Sequence, residues 1–325
     1  MTSLWRPAAS FETLRRRAEI LAEIHRFFAE RGVLEVETPL LARATVTDLH
    51  LHSIPCRPEV AATPAEPGAE LYLQTSPELA MKRLLAAGSG PIYQLAKAFR
   101  DGESGRLHNP EFTLLEWYRP GFDHHALMDE VEELLTHVLG TPAAERKSYA
   151  ELFDRHLGVD PHRAPAGELR RVAEEQGIEV VGMDDDDRDG WLHLLMSHLV
   201  EPHLGKERPT FVVDYPATQA ALARVRPGDP PVAERFEVYV EGIELANGFH
   251  ELRDPAEQRR RFEADLAERR RAGLPTVPID EHLLTALQAG LPDCAGVALG
   301  VDRLVMLAVG AGSVEEVLAF PLGRV

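Results

Sequence analysis

Apolar positions recur at mostly helical spacing between residues 10 and 31, at Leu14, Ile20, Leu21, Ile24, Phe27 and Phe28, which predicts an amphipathic helix stopped by Gly32. A strand is expected at Val33 to Glu37, ended by Thr38-Pro39 because proline cannot donate to a ladder. The Pro- and Ala-rich stretch RPEVAATPAEPGAE, residues 57 to 70, reads as a surface loop. Leu71 to Gln74 reads as a short strand, and TSPELAMKRLLAAG as a helix with Ser76 at the N-cap, Pro77 at its first position and Gly88 as its stop. IYQLAKAFR and FTLLEWYR then alternate as the strands of a hairpin. Helical patterns dominate from about residue 141 to 208, including ELRRVAEEQG and WLHLLMSHLVEPHLG, with the acidic turn DDDDRD between them; an insertion packed on the core is expected there. PTFVVDYP returns to strand, and residues 235 to 252, RFEVYVEGIELANGFHEL, predict a second hairpin turning at Glu241-Gly242. A helix from about Pro255 to Gly273 and the C-terminal GVALGVDRLVMLAVG complete the pattern. Helices mixed with antiparallel hairpins predict an α+β fold, an antiparallel sheet flanked by helices.

Composition narrows the function classes. At 325 residues the chain can bury a substantial core, and 44% apolar with 27% charged residues is ordinary for a globular fold. The N-terminal MTSLWRPAASFETLRRR lacks the apolar core of a secretory signal, and no run approaches the ~20 apolar residues of a membrane span, so a cytoplasmic location is expected. Cys56 and Cys294 are too few for a disulfide framework and lack zinc-site spacing. The formal charge of −18, from 35 Lys+Arg against 53 Asp+Glu, repels polyanions and suits a basic protein partner or a cationic small substrate.

Within this acidic chain, the loop of FRDGESGRLHNPEFTLLEWY concentrates Arg100, Arg106, His108, Asn109 and Glu111. Period-two alternation puts Gln94, Ala96, Ala98 and Arg100 on one face, and Glu116 with Tyr118 on one face of the returning strand. A guanidinium, a carboxylate and a phenol around one cavity would suit a ligand with anionic and cationic ends; a charged hairpin on an exposed sheet face is the simpler alternative. In the second hairpin a two-residue turn would place Glu237 and Glu244 diagonally on one face, about 7 Å apart at Cα. They could hold Mg²⁺ on a nucleotide's phosphates, or form a solvated face. Glu251 joins them only if a bulge, expected at Asn247-Gly248, shifts the register. In GVALGVDRL a helix opens at about Val301 with Arg303 in its first turn, where a nearby anion would explain an arginine at the positive helix end. Neither a Walker element nor GxGxxG is present, so nucleotide binding needs another architecture.

In order along nearly the whole chain, these elements resemble the catalytic core of the class II aminoacyl-tRNA synthetases of the lysyl type. FFAERGVLEVETPLL looks like motif 1, AFR with HNPEFTLLEWY like motif 2, and GVALGVDRLVML like motif 3, while TSPEL and ELANGFHEL resemble the lysyl branch. The resemblance implies one class II catalytic domain over residues 1–325. Lysyl-tRNA synthetases begin with an anticodon-binding OB domain, whereas fewer than ten residues precede the first helix here, so the expectation is a truncated paralogue without it. Such paralogues imply a protein acceptor, translation elongation factor P, and (R)-β-lysine supplied by a lysine 2,3-aminomutase, with tRNA an unlikely partner. ATP and Mg²⁺ are implied as cofactors, and a homodimer through motif 1.

Carried onto this chain, the resemblance assigns Arg100 to the substrate carboxylate and α-phosphate, with Arg303 as its catalytic partner. Asp101, Gly102, Asn109, Glu244, Leu245, Gly300 and Arg303 fall at the nucleotide, and Glu237 and Glu244 become the metal ligands. Ser76, Pro77, Glu78, Glu116, Tyr118, Asn247, Glu251 and Ala298 fall at the amino acid, where carboxylates would receive two ammonium groups. Gly102 stands where motif 2 usually has glutamate, with Glu103 one residue later. Ala298 replaces a usual glycine and is expected to select β-lysine over α-lysine, since one methyl in a tight pocket discriminates by ~1 kcal/mol or more. A tRNA-charging enzyme reading only the acceptor stem and a non-catalytic amino-acid sensor are the alternatives.

Overall fold

The computed structural model describes residues 5–57, 70–178, 180 and 182–325; most of the expected loop at 57–70 therefore lies outside the described residues. The chain divides into two compact units. The first comprises Met1–Gly121, Arg253–Cys294 and Ala298–Val325, and the second Phe122–Leu252 with Ala295–Val297.

In the first unit the helix Phe11–Glu30 is capped by Ser10, whose Oγ accepts the Thr13 N–H at 3.0 Å. Gly32 follows at φ +64°, a left-handed geometry that only glycine takes without cost. Its apolar stripe, Ile20, Ile24 and Phe28, is buried, and Phe28 stacks on Tyr93 and meets Trp117 edge-on. The expected strand after Gly32 shrinks to Leu34–Glu35, which runs parallel to the strand Ile92–Phe99. Ile92–Phe99 pairs antiparallel with Glu111–Pro120, Gln94 opposite Glu116, so both fall on the predicted face. A small sheet of Leu41–Ala42, Leu71–Leu73 and Pro55–Cys56 precedes the helix Glu78–Ala86. That helix starts one residue later than the capping pattern predicts: Pro77 is the N-cap, and Ser76 Oγ accepts the Glu78 N–H at 3.4 Å. The helices Pro255–Arg271, Glu281–Gly290 and Val301–Val309 complete the unit. Buried Asp302 ties three elements together, pairing with Arg17 at 2.7 Å and accepting the Thr113 N–H at 2.9 Å.

In the second unit the helix His124–Leu139 is capped by Asp123 and ended by Gly140. The strand order is Ile243–His250, Val232–Val240, Thr210–Pro216, Glu145–Ser148. The helices Tyr149–Leu157, Ala166–Glu175 and Arg188–Leu195 occupy the segment read as helical and bury Phe153, Leu169, Trp191 and Leu195 with Tyr215 and Tyr239 of the strands. Leu34–Glu35 runs parallel to Ile92–Phe99 in the first unit and Glu145–Ser148 parallel to Thr210–Pro216 in the second, so the sheet is mixed rather than antiparallel throughout. The reason is topological. Parallel partners need a long crossover, and in the second unit the helical segment between Ser148 and Thr210 supplies it. The helices His124–Leu139 and Glu281–Gly290 are additional to the elements read from the sequence.

The hairpin of the second unit turns at Glu241 and Gly242 with φ +55° and +78°, the two left-handed residues of a tight two-residue turn. Its register shifts between Val238 and Tyr239, where Ala246 and Glu244 are the successive partners and Leu245 is the extra residue. The bulge is thus at Leu245 rather than Asn247-Gly248. Its consequence is the expected one: Glu244 and Asn247 are an odd three positions apart, and with Leu245 as the extra residue both, and Glu251 beyond them, return to the face of Glu237.

Candidate active site

Most of the residues expected at the amino acid and the nucleotide belong to the first unit. Arg100 leaves the end of Ile92–Phe99 with its guanidinium 5.0 Å from the Phe112 ring and 3.6 Å from Glu103. Its buried Nε–H has no hydrogen-bond partner among the described residues. On the same hairpin face, Glu116 is 2% exposed and accepts the Tyr118 hydroxyl at 2.7 Å. Glu78 is already engaged: Lys82 Nζ donates to its Oε1 at 2.7 Å, and that lysine is itself buried. Lys82 escapes notice in the sequence because four-residue spacing on a helix also describes an ordinary surface ion pair.

Arg303 sits in the first turn of Val301–Val309 behind the N-cap Gly300, as the motif predicts. Its Nη2 lies 2.7 Å from His108 Nε2 and its Nε donates to the Leu107 carbonyl. Burial, and then the Arg303 charge, pushes the His108 imidazole below its ordinary pKa, which leaves the ring neutral to accept this hydrogen bond. His108 belongs to the polar loop noted in the sequence, but its pairing with a residue 195 positions away is tertiary. Asn109 donates to the Glu111 carbonyl at 2.7 Å and accepts the Leu322 N–H at 3.0 Å. The Asp101 N–H donates to the His52 carbonyl at 2.7 Å. Gly102 has φ +77°, so a glutamate at this position would carry backbone strain; the neighbouring Glu103 is the carboxylate beside Arg100. Ala298 and Gly300 are half-buried on the strand Cys294–Gly300.

The second unit holds Glu237, Glu244, Leu245, Asn247 and Glu251, with Glu237 directly opposite Asn247. Glu237 is buried and accepts four donors: Arg235 at 2.5 Å and Asn247 at 3.3 Å on Oε1, Tyr215 at 2.6 Å and Tyr239 at 2.5 Å on Oε2. Although burial disfavours its charge, Arg235 and then the two hydroxyls hold the Glu237 carboxyl below the usual range. Burial, reinforced by the Glu237 charge, raises both tyrosines well above their ordinary value. A carboxylate offers about four lone-pair positions, and here all are filled. Glu237 in this arrangement therefore does not fit the role of a magnesium ligand. Half-buried Glu244 lies on the same face, opposite Tyr239, and Asn247 Oδ1 has no partner among the described residues. Arg235, Tyr215 and Tyr239 gave no sequence signal, because the separations of 2, 22 and 2 residues from Glu237 acquire meaning only through the strand register.

Among the described residues no helix is long and apolar enough to cross a membrane. Residues 2–324 match the family model described as tRNA synthetases class II (D, K and N), and the chain belongs to that family. Its fold is accordingly the class II synthetase-like domain, with a mixed sheet flanked by helices. More particularly, it is 57% identical over 98% of both chains to the protein of Vibrio cholerae named elongation factor P--(R)-beta-lysine ligase. Proteins of the same name from Klebsiella pneumoniae, at 55% identity over 99% of both chains, and Edwardsiella ictaluri, at 57% over 98%, are similarly related. The chain is thus an enzyme of the ligase class.

Proposed function

We propose that this protein activates (R)-β-lysine with ATP and transfers it to the ε-amino group of a lysine of translation elongation factor P. The observation that carries the reading is the hairpin face on which Arg100, with its unpaired Nε–H, is joined by the buried carboxylate of Glu116. Such a face complements a substrate with a carboxylate at one end and ammonium groups at the other. The names of the relatives, similar over nearly their full length, supply the particular substrate and acceptor.

In the first step the amino-acid carboxylate attacks the α-phosphorus of ATP, giving an acyl-adenylate and releasing pyrophosphate. The nucleophile is already ionised and needs no base. Arg100 and Arg303 hold the reactants and stabilise the negative charge that develops, which is where an enzyme gains rate rather than mere affinity. In the second step the acceptor amine, freed of a proton from a reference pKa of ~10.4, attacks the carbonyl and releases AMP. Asp101, Gly102, Asn109, Glu244, Leu245 and Gly300 are assigned to the nucleotide. Ser76, Pro77, Glu78, Glu116, Tyr118, Asn247 and Glu251 are assigned to the amino acid, with Ala298 discriminating β-lysine from α-lysine. ATP is used with Mg²⁺, and no step is routed through Glu237 as its ligand. Exposed Leu34, Leu40 and Leu41, at and just beyond the motif 1 strand, support a homodimer formed through that region.

The test is the intact mass of elongation factor P after incubation with this protein, Mg-ATP and either β-lysine or α-lysine. A lysyl-sized gain, greater with β-lysine, is expected, and Ala298→Gly is expected to narrow the difference. Pyrophosphate exchange without any mass gain would redirect the search to tRNA or another acceptor.

A further inference from the structure

Across the second hairpin from Glu237, on its opposite face, a different group of side chains converges. Glu234 and His250 face each other across the strand pair, with His250 Nδ1 2.7 Å from Glu234 Oε2. The first residue of the helix His124–Leu139 reaches the same point, its ring 6.1 Å from that of His250 at an interplanar angle of 26°. One donor atom from each of His124, Glu234 and His250 lies within 4.8 Å of the others. We propose that these three residues bind a divalent transition-metal ion of the zinc type.

Three features carry this. The donor set, two imidazoles and a carboxylate, is the one such ions prefer, and it leaves a fourth position for water. The spacing is close to what an ion needs: bonds of ~2.0–2.1 Å place tetrahedral donors roughly 3.3 Å apart, a contraction within the reach of rotamer changes. His124 is 2% exposed, and neither of its ring nitrogens has a partner among the described residues. Buried polar atoms normally find a partner, and a bound ion would give His124 one. The ion would tie the start of one helix to both strands of the hairpin that carries Asn247 and Glu251. The grouping is invisible in the sequence, since the ligands are 110 and 16 residues apart and only the strand register aligns two of them.

The experiment uses the full-length protein, stripped with chelator, dialysed against zinc and passed through a desalting column before elemental analysis. About one zinc per chain is expected in the wild type, with affinity falling roughly tenfold or more in His124→Phe and in Glu234→Gln. Cobalt substitution should give the intense visible absorption of a low-coordinate site in the wild type and not in the variants. Zinc should raise the melting temperature of the wild type alone. Glu234→Gln, which keeps the side-chain volume, carries the test if the histidine variant does not fold. No zinc uptake by the wild type, or equal uptake by the wild type and a folded variant, would overturn the proposal. Neither outcome depends on ligase activity.

Discussion

At the scale of single residues, the charges in this protein sort by what already satisfies them. Glu237 is held by a buried guanidinium and two phenols, so its contribution is structural before it is anything else. Arg235 is the counterpart, donating also to the Gln219 carbonyl at 2.8 Å and lying over the Tyr215 ring at 4.5 Å. Arg235→Ala would leave a buried carboxylate without its main partner and should lower the unfolding free energy by about 3–5 kcal/mol, measured by urea denaturation. Arg100 is the reverse case: among the described residues its guanidinium has a 3.6 Å contact to Glu103, a place 5.0 Å from the Phe112 ring and a buried Nε–H with no hydrogen-bond partner, so little of the fold rests on its charge. Arg100→Ala should therefore change the melting temperature slightly while reducing ATP–pyrophosphate exchange by roughly 10²-fold or more, the scale expected when a transition-state donor is lost. Near-normal exchange in this variant would contradict the assignment.

At the scale of elements, the hairpin turn and the helix after it each expose a local choice. Glu241 occupies a left-handed position, φ +55°, which asparagine tolerates better than glutamate. Glu241→Asn should stabilise the protein by about 0.5–1 kcal/mol, read as a higher urea midpoint with an unchanged slope. In the helix Pro255–Arg271, Glu257 receives both Arg260 and Arg261, and the Arg260 hydrogen bond leads in pulling its pKa from 4.5 down to about 2. A carboxyl depressed in the folded state stabilises above its unfolded value of 4.5, and that stabilisation fades as the pH falls toward 2. Glu257 is half-buried and its partner Arg260 is exposed, so solvent screening limits the worth of the pair. Glu257→Gln should cost under ~1 kcal/mol at pH 7, and the gap between the two proteins should narrow between pH 4.5 and 3 in urea titrations.

At the scale of the whole molecule, the formal charge of −18 disfavours a nucleic-acid acceptor, and the exposed Leu34 and Leu41 call for a covered surface. The double variant Leu34→Asp, Leu41→Asp should halve the mass seen by light scattering, whereas an unchanged mass would place the interface elsewhere. Periodicity and local chemistry were enough to locate the first helix, both hairpins, the turn at Glu241-Gly242 and the helix carrying Arg303, because each depends on interactions within a few residues. The ordered motifs likewise determined the family, since their residue types and spacing along the chain are themselves the signal. The parallel pairings, the placement of the bulge at Leu245, the saturation of Glu237 and the meeting of His124 with Glu234 and His250 belong to the tertiary structure alone. They join residues from separate elements, and a pairing that pays its loop-closure entropy through packing of the whole unit leaves no periodic trace in the chain.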